Sequence, residues 1–339
     1  MLKILKKYIF EILIFLLVVG IFITNYVPGT YLIGWDSLQT ELYPWLAVKR
    51  AFFSVWQEYQ SFGLPSGMAH AADLIRALFI FLISFVLKQN LIRYIFHHLM
   101  LFIGGVGALS LFRYLGFRSK NSTFAFLGAV FYILNLGTVQ MFALPFEPFS
   151  LFFALLPWLI LVFFLYLGEK TRTKKILNKF LLVNLFATSA FYQQTLFIVY
   201  LIVLVLLFLG LVVTNTFEKD RSYIPTYIKN FITSMLLIFV VNSFWLLPQF
   251  YIFKSSAGIT SQSKINQLAT DTVMNKNIEK GRIQYLARFE NFYYDLKDTN
   301  QDFLFSSWKD HFETKIFYWL SFAPFIIVTF GFALGKKKY

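Results

Sequence analysis

The feature that most constrains this chain is its series of long apolar runs, at residues 8–24, 91–112, 121–142, 149–168, 180–213, 230–247 and 316–334. Each is rich in Phe, Leu and Ile and lacks the strict alternation of a barrel strand, so the runs read as membrane helices. Composition agrees, with 58% hydrophobic and only 14% charged residues in 339. The fold class expected is an all-α polytopic membrane protein. The 34 residues of 180–213 are too many for one untilted span. The polar "SAFYQQT" inside them is the natural turn of a helical pair, giving about eight transmembrane helices.

The first run follows Lys3, Lys6 and Lys7 and is succeeded by "NYVPGT" rather than a small-residue cleavage site. An uncleaved first helix entering from the cytoplasm is the reading adopted over a signal peptide. Residues 74–87 form a shorter apolar stretch containing Arg76. A span needs about 20 residues, so this stretch is expected to be re-entrant or interfacial.

Charge tests that layout. The inner segments hold Lys3, Lys6, Lys7, Arg113, Arg118, Lys120, Lys170, Arg172, Lys174, Lys175, Lys179, Lys219, Arg221, Lys229 and Lys336–338. That is 17 basic residues against three acids, Glu169, Glu218 and Asp220. The outer segments hold 14 basic and 13 acidic residues, and Glu11 lies within the first run. The net charge of +14 therefore follows the positive-inside rule. Nucleic acid is set aside as a partner, and a plasma-membrane protein with both termini cytoplasmic is expected. With no cysteine, disulfides, thiolate chemistry and Cys-based metal sites are excluded. Four scattered histidines do not suggest a tight zinc site.

Two outer segments remain, 25–90 and 254–315. In the first, Pro44 can start a helix whose apolar face carries Trp45, Val48, Phe52, Val55, Trp56 and Tyr59. Lys49, Arg50, Gln57 and Glu58 lie opposite, as in a helix lying in the membrane interface. Asp36 admits two readings, an N-cap in a capping box with Gln39 or a functional carboxylate. Glu41 can be solvated or can face a substrate. Glu147, followed by Pro148, sits where a helix dipole favours a carboxylate, or serves as a second acid. His70 and Asp73, three residues apart, are either a solvated pair or a contact for an acceptor or metal. Arg50 and Arg76 are either snorkelling to headgroups or gripping phosphate. The segment 254–315 has eight acidic and nine basic residues and many aromatics in its second half. It is expected to be an interfacial cap, with a lid or a sugar-gripping surface as the alternative.

The order "GWDSLQTELYPWLAVKRAFFS", "LFRYLGFRSKNSTFAFLGAVFYILNLG", "LPFEPFSLFFALLPWLILVFF" and "NSFWLLPQFY" resembles the membrane half of GT-C glycosyltransferases. It is similar in particular to YfhO-like proteins and to the N-terminal membrane region of AftD-type arabinofuranosyltransferases. The resemblance covers residues 5–255. It implies a GT-C-like core over 1–253, an extracytoplasmic polar loop over 254–315, and a last helix with a basic tail over 316–339. Family members are usually longer, so the resemblance implies an enzyme or its membrane module. The activity implied is transfer of a sugar from a polyprenyl-phosphate donor to a cell-envelope glycan or lipid acceptor on the outer face. Asp36 falls where the family carries its acidic residue and would be the general base, with Glu147 as second acid. Glu41, Arg50, His70, Asp73 and Arg76 would contact substrate, and membrane lipid would surround the site. No cofactor is singled out, a divalent cation being the one left open. A transporter or flippase of lipid-linked sugars and a non-catalytic assembly subunit are the competing classes. A transporter would place its charges near mid-membrane, often on broken helices, whereas here most acids lie in outer loops.

Overall fold

The computed structural model describes residues 7–34, 39–54, 56–57, 63–65, 70–116, 122–143, 145–168, 173–217, 223–262, 271 and 274–334. They are overwhelmingly helical and divide into two compact units. The first comprises residues up to Asn135 together with Met141–Ser255; the second comprises Leu136–Gln140 and Ser256–Tyr339.

In the first unit the helices are α1 (Ile9–Asn25), α2 (Pro44–Phe52), α3 (Leu74–Ile83), α4 (Gln89–Tyr114), α5 (Ser122–Leu134), α6 (Leu136–Ala143, shared with the second unit), α7 (Glu147–Leu167), α8 (Lys174–Ala187), α9 (Gln194–Phe217) and α10 (Ile224–Gln262, its last residues from Ser256 belonging to the second unit). Among the described residues four helices are long and apolar enough to cross a membrane: α4, α7, α9 over Gln194–Thr216 and α10 over Ile224–Lys254. α1, residues Thr123–Leu134 of α5 and Lys315–Phe330 are shorter apolar helices.

α4 is the organising element, because its glycines let neighbours approach closely. A Cβ on Gly104 would lie 2.5 Å from the Phe153 ring, on Gly105 2.6 Å from Ile133, and on Gly107 2.6 Å from the Trp158 indole. Trp158 Nε1 donates to Ile103 O at 3.1 Å, and Tyr132 OH donates to Phe153 O at 2.7 Å. α7 is thereby pressed along α4, with α1 and α5 against another side of it. A larger apolar core including Phe163, Tyr166, Phe180, Phe191, Tyr200 and Trp245 joins α7 to α8, α9 and α10. Away from the spans' core, Glu11 of α1 pairs with Arg113 of α4, one of the few places where charges meet on these helices.

Several expected elements take a different form. The interfacial helix begins at Pro44 as read, but it ends at Phe52. Trp56–Gln57 instead pairs antiparallel with Leu64–Pro65. Gly63 makes this return, with φ +94° and the Trp56 ring 2.5 Å from where a Cβ would sit. Tyr59 and Val55 lie outside the described residues.

Residues 74–83 form a ten-residue helix, about 15 Å long and so half of a hydrocarbon core of about 30 Å. The run 121–142 is two helices rather than one. Asn135 separates them, its amide donating to Phe131 O at 3.0 Å and Tyr132 O at 2.9 Å. Such local side-chain bonds compete with continued helix.

The pair within 180–213 does form a turn at the polar stretch, as a 3₁₀ segment over Thr188–Tyr192 between α8 and α9. α10 runs for 39 residues through Pro248, so helix continues past residue 253, where the polar loop was expected to begin. The last apolar run is two helices, Lys315–Leu320 and Ala323–Leu334.

The second unit is organised by charges and aromatic rings. Arg288, buried, lies 4.2 Å over the Tyr318 ring and pairs with Glu290 at 2.6 Å. Tyr294 is buried against Phe312, with ring centroids 5.1 Å apart. Asp295 receives Lys280 at 2.8 Å and Lys309 at 2.7 Å.

Candidate functional site

The first unit buries five charged side chains in one cluster. Glu41 stands on a 3₁₀ turn, Thr40–Leu42, whose backbone carbonyls at 41 and 42 each accept from Gln89 Nε2 at 3.1 Å. The first residue of α4 thus ties this loop to the bundle. Asp73 ends another 3₁₀ turn, His70–Asp73, and Arg76 follows in the first turn of α3. Arg93 lies on the second turn of α4, and Glu147 is the first residue of α7, ahead of Pro148. Four separate pieces of chain therefore bring three carboxylates against two guanidiniums.

Asp73 and Arg76 form a two-pronged pair, Nε to Oδ1 at 2.7 Å and Nη2 to Oδ2 at 2.6 Å. The remaining Arg76 nitrogen, Nη1, donates to Thr40 Oγ1 at 2.8 Å and lies 3.7 Å from Glu147 Oε1. Ser189 Oγ accepts from the Arg76 backbone N–H at 3.0 Å. Arg93 bridges the other two acids. Its Nε is 2.9 Å from Glu41 Oε1, and Nη2 donates to Glu41 Oε2 at 3.2 Å and to Glu147 Oε1 at 2.7 Å.

No side chain of the five is more than 7% exposed. Burial is the largest influence on Asp73 and raises its pKa; Arg76 pulls it back and Glu147 adds to the rise. For Arg76 burial opposes the charge, but Asp73 and Glu147 outweigh it and hold the guanidinium more firmly protonated.

Several polar atoms of the cluster are not engaged. Arg93 Nη1 and Glu147 Oε2 have no hydrogen-bond partner among the described residues. The same holds for both ring nitrogens of His97, which is 2% exposed and lies one turn from Arg93 on α4.

Beside the cluster, Arg76 and Ser189 stand in the wall of a cavity of about 520 Å³ that is otherwise apolar. Phe79, Phe96, Met100, Leu151 and Phe186 are among its lining residues, from α3, α4, α7 and α8.

The structure brings together Glu41, Asp73, Arg76 and Glu147 of the residues singled out in the sequence. Asp36 and Trp35 lie outside the described residues. The capping-box reading of Asp36 therefore also lies outside the described residues; Gln39 is left-handed (φ 46°) and precedes the 3₁₀ turn Thr40–Leu42. Asp73 is not a solvated partner of His70. It faces Arg76, while the His70 ring packs 5.3 Å from Tyr192 and its pKa is lowered by burial first and by the Arg50 charge second. Arg50 is on the last turn of α2. Tyr43 and Trp45 are well exposed, as an aromatic collar at an interface would be.

Arg93 and His97 do not stand out in the sequence as site residues. Their signal is nevertheless there: a guanidinium and an imidazole four residues apart inside an apolar run are costly in a membrane and mark a polar site. Among the described residues no group of three His, Asp or Glu side chains is arranged to hold a metal ion. A second cavity, of about 310 Å³, lies in the other unit, lined by Lys280, Glu290, Asn277 and Asn291.

Among the described residues, fold and cluster define a predominantly helical protein with four helices long and apolar enough to cross a bilayer, and a buried ionic site that includes Arg93 and Glu147 near the ends of two of them. No family model, no curated protein and no solved structure matches the chain.

Proposed function

We propose that the protein is a GT-C-type membrane glycosyltransferase, or the membrane module of one, using a sugar carried on a polyprenyl phosphate. The observation that carries this reading is the buried carboxylate–guanidinium cluster beside an apolar cavity that has Arg76 in its wall. A lipid-borne sugar needs such a pairing, with apolar surface for the chain and polar groups for the reacting end. In this reading about eight helices span the plasma membrane with both termini cytoplasmic. Asp36 is the general base, and Glu147 orients the acceptor, a cell-envelope glycan or lipid. General-base assistance of this kind contributes about 10²–10⁴-fold. Arg76 and Arg50 are the candidates for the phosphate in this reading, the Arg76 fork being shared with Asp73.

The test is transfer in proteoliposomes from a panel of polyprenyl-phosphate sugars to extracted envelope acceptors. Asp36→Asn is expected to abolish transfer with thermal stability kept. Transfer at the wild-type rate by that variant would remove the catalytic reading.

One observation favours a second class. Arg93 and His97 are buried within a helix long enough to cross the membrane, where transporters keep their polar sites. A flippase would move a fluorescent lipid-linked sugar between leaflets without forming a glycosidic bond, and the same vesicles can report it.

A further inference from the structure

The last apolar run leaves no face for water. Phe325, Ile326, Ile327 and Val328 are consecutive on Ala323–Leu334, and each is 43–70% exposed. Four successive residues point to every side of a helix, so this one is apolar all round and needs lipid about it. Ile316, Trp319 and Leu320 of the preceding helix, Lys315–Leu320, are exposed as well. Residues 315–334 together rise about 30 Å, the thickness of a hydrocarbon core.

Another segment of the same unit is fastened to the start of that run. Buried Arg288 lies 4.2 Å over the Tyr318 ring and 5.6 Å from the Phe322 ring. Those rings stand roughly 5 and 10 Å past Lys315 along a helix axis. Arg288 Nε also donates to Gln284 O at 3.1 Å, which ties the short helix Ile283–Leu286 to the same depth. Ile283 and Leu286 are each more than half exposed, and so are Met274 and Ile278 on the preceding helical residues 274–280. Spacings of four and three residues put each pair on one helix face.

Charge says what covers these side chains. Lys276, Lys280 and Arg282 accompany them against the single acid Glu279. Leu286 also borders the 310 Å³ cavity that carries Asn277, Lys280 and Asn291. Apolar side chains beside hydrogen-bonding groups and a basic excess match a phospholipid surface, acyl chain next to anionic headgroup. We infer that Met274–Leu286 docks on the membrane, with Met274, Ile278, Ile283 and Leu286 among the acyl chains and Lys276 and Arg282 at anionic headgroups. This placement rests on the membrane reading of the last apolar run proposed above, and not on sugar transfer.

The chain contains no cysteine, so nitroxide labels can be placed singly through Ile278→Cys, Ile283→Cys, Asn300→Cys and Val328→Cys. Protein in phosphatidylcholine vesicles containing phosphatidylglycerol is then probed by electron spin resonance. Oxygen concentrates in the hydrocarbon, and a nickel chelate stays in water. Labels at 278 and 283 should report immersion of about 5–10 Å. The label at 328 should report hydrocarbon and that at 300 water. Leaving out phosphatidylglycerol should shift 278 and 283 toward the water value, and so should Lys276→Gln with Arg282→Gln.

Nickel access at 278 and 283 equal to that at 300, with 328 in hydrocarbon, would overturn the docking and leave the membrane helix standing. Labels at 278 and 283 closed to both reagents would show a protein partner there, a second copy included, and overturn it equally. Immersion indifferent to phosphatidylglycerol and to both basic residues would remove the anionic headgroups and the proposal with them. A label at 328 in water would remove the membrane reading of this unit, on which the docking depends.

Discussion

Arg93→Met tests the cluster most directly, because it keeps the apolar stem of the side chain and deletes the guanidinium charge. Arg93 meets Glu41 at 2.9 Å and Glu147 at 2.7 Å, with all three side chains at most 7% exposed. At an effective dielectric of about 20 each contact carries roughly 6 kcal/mol of gross attraction, offset by desolvation of the ions. What the variant should reveal is the cost of leaving two buried carboxylates without their cation, about 3–5 kcal/mol. Reversible unfolding in mixed detergent micelles, followed by tryptophan fluorescence, measures this as a difference in free energy.

The triple variant Arg93→Met with Glu41→Gln and Glu147→Gln removes all three charges. It should recover part of the loss, since neither carboxylate is then left buried as an unpaired charge. A cost below about 1 kcal/mol for Arg93→Met alone would refute the picture of a buried, mutually dependent cluster. So would a triple variant as unstable as the single one.

Gly104→Ala should destabilise by about 1–3 kcal/mol in the same assay, because its Cβ would meet both the Phe153 ring and the Phe153 carbonyl. Gly210→Ala, with nothing within 4 Å, should instead gain about 0.5–1 kcal/mol, and equal effects at the two positions would contradict the α4–α7 packing. The absence of cysteine allows single cysteines at Tyr43, Thr173 and Asn300 to be tested with an impermeant maleimide in intact cells; labelling is expected at 43 and 300 and not at 173.

In the second unit burial opposes ionisation of Asp295, but hydrogen bonds from Lys280 and Lys309 hold its pKa below the usual value. Its stabilising contribution is therefore present above the unfolded carboxylate value of about 4 and is lost as pH falls through the lower folded value. Asp295 is partly exposed, so the effect should be about 0.2–1 kcal/mol. Hydrogen exchange over residues 276–313 should accelerate slightly below pH of about 4 in wild type and not in Asp295→Asn.

Much of this architecture is legible along the chain because burying apolar side chains and satisfying backbone hydrogen bonds are local, periodic demands. The helical class, the start of α2 at Pro44, the half-length helix at 74–83 and the turn at Thr188–Tyr192 all follow from such demands. Breaks at Asn135 and at Ser321 were not legible, since a single polar residue in an apolar run ends a helix only when its side chain turns back on the backbone.

The candidate site divides in the same way. Glu41, Asp73, Arg76 and Glu147 draw notice as charges in a greasy chain. Their partners cannot be read from spacing, because Arg93 reaches an acid 52 residues before it and another 54 residues after it. Asp73 looked like a partner for His70 and belongs instead to Arg76, where a two-pronged bond compensates the burial of both charges. Which acid meets which base depends on how three helices and two short turns pack, and on the small glycine face of α4 that lets α7 come close enough to set Glu147 against Arg93.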